Sequence, residues 1–86
     1  MALVKIMQTA DGIAPRFVGE VLRVMSRKPG RHKAHYLIWR NGHWHNTKVR
    51  SADWWRAKNQ WHKQIQEGIR TPEGERLTFG TVFVEG

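Results

Sequence analysis

The 86-residue chain contains no cysteine, one tyrosine, three prolines and seven carboxylate side chains against fifteen lysines and arginines. Without cysteine there are no disulfides, thiolate metal ligands or thiol nucleophiles, a composition that suits a reducing, cytoplasmic setting. Long apolar runs are missing too. MALVKIMQTADG is interrupted at Lys5 and Gln8, so it lacks the apolar stretch of a secretory leader, and no segment has the roughly 18 apolar residues of a membrane span. The expectation is a soluble protein without a membrane partner. Carboxylates form no paired acid and base, the glycines form no phosphate-cradling loop, and Ser26 and Ser51 are placed for turn or cap roles. Catalysis and a bound cofactor are not expected.

What the chain has in excess is positive charge, with a formal net charge of +8 and an isoelectric point of about 10.9. It is unevenly spread: residues 1–15 are neutral, 16–50 hold nine basic residues against Glu20 alone, 51–70 add a net +2 and 71–86 subtract 2. Within 16–50 the cations alternate with Tyr36, Trp39 and Trp44, the mark of folded surface rather than a disordered basic tail. Such a surface attracts a polyanion. The length fits a single domain spanning 1–86, and so small a domain buries only roughly 60 to 65% of its unfolded surface. Most large apolar side chains are therefore needed for packing.

Ser51 followed by Asp53 supplies an N-cap acceptor and a negative charge for a helix over about 52–67. Trp54, Ala57, Trp61 and Ile65 form its apolar stripe, Gly68 its stop, and Lys58 lies near the stripe as a snorkelling stem. Asn41-Gly42 predicts a hairpin joining 33–40 to 43–49, with Trp39 opposite Trp44, Leu37 opposite Asn46 and Ile38 opposite His45. Residues 76–85 predict one strand with Leu77, Phe79 and Phe83 on one face and Val82 and Val84 on the other, after a turn at Pro72-Glu73-Gly74. A shorter strand is expected over 2–8. In 15–27, Phe17, Val18, Val21, Leu22, Val24 and Met25 fit a helical stripe better than strict alternation. The fold class expected is α+β, a small antiparallel sheet of three to four strands with one long helix, in the ferredoxin-like βαββαβ order. The alternative, with 15–27 as a strand turning at Lys28-Pro29-Gly30-Arg31, is an SH3- or chromo-like β-meander with a C-terminal helix.

In that alternative GEVLRVMSRKPGRHKAHYLIWRNG, residues 19–42, resembles the strand, turn and strand of chromodomains, with Tyr36-Leu37-Ile38-Trp39 in place of that family's aromatic-aliphatic strand. The Trp-Glu-Pro step that follows the hairpin in chromodomains is missing here. The resemblance therefore carries no aromatic-cage residue over to this chain.

The function expected is non-catalytic binding of DNA or RNA. Arg23, Arg27, Lys28, Arg31, Lys33, Arg40, Lys48 and Arg50 would meet phosphates, while Trp39 and Trp44 would offer flat rings for bases. RNA-binding domains of βαββαβ order place aromatics on their open sheet face, although their aromatic signature is absent from these strands. The alternative function is a small phage or mobile-element accessory protein that binds and modulates a host protein. There Trp55, about 100° off the helix stripe, would be the anchor, with Arg56 and Lys63 beside it. His43, His45 and His62 are a weak metal set without a nearby carboxylate, and His45-Asn46-Thr47 is one copy of a pattern that two-histidine phosphoesterases need twice. No metal is expected.

Overall fold

Val21, Leu22 and Val24 are almost wholly buried, a continuous apolar run that suits a strand covered on both faces. In the computed structural model, which describes residues 6–8, 10–31, 33–68, 77–78 and 80–84, they belong to β1 (Val21–Ser26). β1 pairs antiparallel with β2 (His35–Arg40), which pairs antiparallel with β3 (His43–Asn46). α1 (Ala52–Glu67) follows, then β4 (Leu77–Thr78) and β5 (Thr81–Val84). The sheet order is β3-β2-β1-β5-β4, with β5 parallel to β1 and antiparallel to β4. The protein is thus α+β with one long helix, and its sheet is mixed rather than antiparallel. Among the described residues no helix is long and apolar enough to cross a membrane.

The helix and the hairpin follow their local signals. Ser51 Oγ accepts the Trp54 N–H at 3.1 Å, and the Gly68 N–H bonds the Gln64 and Ile65 carbonyls. Across the Asn41-Gly42 turn, Leu37 pairs with Asn46, Ile38 with His45 and Trp39 with Trp44. Three expectations change. Residues 15–27 contain no helix: Gly19 has φ +93, outside helical space, and β1 then runs where the valines favour extended chain. The βαββαβ order therefore gives way to a β1-β2-β3 meander, although α1 is not C-terminal as the meander alternative had it. The single strand over 76–85 is broken at Gly80, whose φ of +75 turns the chain between β4 and β5. Val82 and Val84 keep a common buried face, while Phe79 and the 72–74 turn lie outside the described residues. Of the expected strand over 2–8, residues 6–8 are helical and 2–5 lie outside the described residues. Ile6, Ala10 and Ile13 recur at helical spacing, and Ile6 and Ala10 are buried.

Alternation along the strands divides the core into two layers. On one face Val21, Tyr36 and Ile38 pack under Trp54, Ala57, Trp61 and Ile65 of α1. On the other, Leu22, Val24, Leu37, Trp44, Val82 and Val84 pack under Ile6, Ala10, Met7 and Ile13. Indole N–H groups tie down both layers: Trp54 donates to Ala34 O at 3.0 Å, Trp61 to Gly80 O at 3.2 Å and Trp44 to Ile13 O at 3.2 Å.

Gln64 closes a gap in the ladder. The β1–β5 register begins only at Arg23 and Thr81, so Val21 is beyond the reach of β5. The buried Gln64 amide takes the strand's place, accepting the Val21 N–H at 2.8 Å and donating to Val21 O at 2.9 Å. Replacing it with the similarly sized leucine leaves both backbone groups buried and unpaired. Gln64→Leu is expected to lower the unfolding free energy by about 2 to 4 kcal/mol in urea denaturation. A change below about 0.5 kcal/mol would show that solvent satisfies Val21 instead.

Candidate functional site

The antiparallel registers send two cation-bearing connections to one end of the sheet. β1 ends there, β2 begins, β3 ends, and α1 begins, held by the Trp54 to Ala34 hydrogen bond. Arg27, Lys28, Arg31 and Lys33 lie on the β1–β2 connection, Lys48 and Arg50 on the β3–α1 connection, and all are exposed. Arg27 extends over the Phe83 ring, 5.4 Å from its centroid. Asp53 is an acid at this end, and its Oδ1 accepts from Arg56 at 3.0 Å. Glu20, the lone acid of the basic segment, is wholly buried at the start of β1, where it accepts the Arg16 N–H at 2.7 Å.

A groove of about 390 Å³ lies against this end, between β1, the start of β2 and α1. Arg23 and Met25 line it from β1, Lys33, Ala34 and Tyr36 from β2 and its approach, and Trp54, Lys58 and His62 from α1. No carboxylate lines it among the described residues. Trp54, Lys58 and His62 are spaced four apart, so they follow one row of the helix surface. Arg23 is held by its surroundings: its guanidinium lies 4.0 Å from the Trp61 ring centroid, and Nε donates to Thr81 Oγ1 at 3.0 Å. Lys58 Nζ sits 5.4 and 5.1 Å from the Trp54 and Trp55 ring centroids. Both cations therefore rest against π-faces, which restricts where their charge can move. Burial raises the Tyr36 phenol above its ordinary range, opposed by the charge and hydrogen bond of Arg23. The phenol stays protonated and can donate at neutral pH.

Of the residues expected to meet a polyanion, Arg23 and Lys33 line the groove, and Arg27, Lys28, Arg31, Lys48 and Arg50 share its end of the sheet. Arg40 lies at the opposite end, on the β2–β3 hairpin. Trp39 and Trp44 do form a pair, with ring centroids 5.2 Å apart at 71°. They face away from α1 and the groove, and Trp44 is only 3% exposed. Trp44 is core, with no ring face open to a base, and Trp39 is half-buried against the same cluster. The indole left open is Trp55, 49% exposed and touching Lys58 at the groove's rim. Arg56 and Lys63 are exposed on the outer surface of α1, Arg56 engaged by Asp53.

The histidines divide among separate places. His43 and His45 have ring centroids 4.4 Å apart, with His45 Nε2 2.9 Å from Arg40 O. No group of three potential metal ligands occurs among the described residues. Burial lowers the His35 imidazole below its ordinary range, which favours the neutral form, and its buried Nδ1 has no hydrogen-bond partner among the described residues. Lys58 and His62 are polar groove residues outside the expected binding set; the series Trp54, Lys58, His62 at steps of four is the available signal. No family model matches the chain, and neither curated proteins nor solved structures yield a match.

Trp44 and Trp55 are therefore expected to respond oppositely. Trp44→Ala should lower the unfolding free energy by about 3 to 5 kcal/mol, and Trp55→Ala by about 1 kcal/mol or less. Equal losses in chemical denaturation would contradict this division between core and surface.

Proposed function

We propose that the protein binds single-stranded nucleic acid without catalysis, through the cationic end of its sheet. The observation that carries this reading is a groove lined by Arg23, Lys33, Lys58 and His62, with no carboxylate among the described residues, set beside the exposed cations of two converging connections. Phosphates entering this surface release condensed counterions, which supplies affinity without regard to sequence. Trp55 provides the ring on which an unpaired base stacks, with Lys58 beside it for the adjoining phosphate. A single strand suits this arrangement because its bases are free to turn onto a protein ring, whereas those of a duplex are stacked on one another. Arg40, Trp39 and Trp44 have no part in this surface.

The same Trp55 favours a second reading, an accessory protein docked on a host protein through the outer face of α1, with Lys63 and Arg56 at the rim. A stoichiometric complex that survives nuclease digestion and weakens in Trp55→Ala would support it over the first.

For nucleic-acid binding the diagnostic is salt. Anisotropy titrations of labelled single strands between about 50 and 200 mM salt should show log affinity falling linearly with log salt, at about 0.7 per phosphate contact. The double variant Lys28→Ala, Arg31→Ala should reduce that slope by about 1.4. A salt-independent affinity would contradict the proposal.

A further inference from the structure

We infer that the groove receives a terminal phosphomonoester, the phosphorylated end of a single strand, rather than a phosphodiester from the strand's interior. This rests on the nucleic-acid reading and adds to it the chemical group recognised. Arg23, Lys33 and Lys58 converge there with His62, and among the described residues no lining carboxylate offsets them. An internal phosphodiester carries a single negative charge, whereas a phosphomonoester carries about −1.5 to −2 at pH 7 and presents three acceptor oxygens. The doubly charged group matches this density of cations better.

The groove is also prepared for such a group. Cations crowded together repel one another, so a fold that fixes them with no counterion among the described residues is organised for an anion that arrives later. Thr81 takes Arg23 Nε and Trp61 holds the guanidinium plane, which leaves the terminal amino groups for Tyr36 and a ligand. A planar guanidinium with paired N–H donors suits phosphate oxygens. Lys58 is held by the Trp54 and Trp55 rings. Lys33, exposed on the approach to β2, supplies a third cation at the groove's open side. With the phosphate seated, the first base of the strand lies beside Trp55 at the rim.

The experiment compares one single-stranded sequence bearing a 5′-phosphate, a 3′-phosphate or hydroxyls at both ends, with a nucleoside monophosphate and its nucleoside as competitors. One phosphorylated end should bind at least about tenfold tighter than the hydroxyl-ended strand. The nucleoside monophosphate, not the nucleoside, should reduce that advantage. Lys33→Ala and Lys58→Gln should each abolish most of the preference, weakening the phosphorylated strand more than the hydroxyl-ended one; Arg40→Ala, at the far end of the sheet, should preserve it. Circular dichroism melting of each variant separates lost recognition from lost folding. Equal affinity for all three strands would overturn the inference and leave the nucleic-acid reading intact. Binding of the nucleoside monophosphate but of no strand would overturn the nucleic-acid reading while confirming the groove's ligand chemistry. Failure of both classes to bind would overturn both, and a preference unchanged in Lys33→Ala and Lys58→Gln would place the phosphate site elsewhere.

Discussion

The hydrogen-bonded ladder that holds β1 between β2 and β5 is the constraint from which the remaining geometry follows. Because β1, β2 and β3 run antiparallel in succession, the β1–β2 and β3–α1 connections must emerge at one end. The cations on them meet there although the chain separates Arg27 from Arg50. Packing of Trp54 and Trp61 across Tyr36 and Val21 then lays α1 beside β1, bringing Lys58 and His62 opposite Arg23. The groove is thus a consequence of strand register and of two indoles bonded to backbone carbonyls.

Gathering like charges opposes folding, and the structure limits that opposition by burying carbon rather than charge. Arg23 and Lys58 lie against indole rings with their stems partly covered, and Arg27 extends over the Phe83 ring, while Lys28, Arg31, Lys33, Lys48 and Arg50 are exposed. Among the described acids, Glu20 holds the turn before β1, and Asp53 pairs with Arg56 on the outer surface of α1. Among the described residues, positive charge therefore predominates beside the groove, as electrostatic steering of an anion requires.

Elements governed by local chemistry were legible in the sequence. Ser51 and Gly68 bound the helix, and Asn41-Gly42 sets the hairpin register, because caps and tight turns are decided within a few residues. Tertiary context obscured the rest. Val21, Leu22 and Val24 read as a helical stripe because a strand buried on both faces loses the alternation that marks a half-exposed one. Gly80 ends a strand that composition alone would continue. The Asn41-Gly42 turn sets Trp39 opposite Trp44, but which face is open depends on a helical N-terminal segment that covers Trp44. Gln64 is polar yet buried, since its role is to complete the β1 ladder. The groove itself was only half legible: Arg23 and Lys33 stood out within a basic segment, whereas Lys58 and His62 join them only once α1 lies on the sheet.

The most direct test of the central claim, that one end of the sheet is the binding surface, is a map of backbone amide and indole NMR shifts during titration with a single-stranded oligonucleotide. The account predicts perturbations over residues 27–34, 47–51 and 52–58 and at the Trp55 indole, with the 39–46 hairpin unchanged. Perturbations centred on Arg40 and the 39–46 hairpin, with residues 27–34 and 47–58 silent, would contradict it.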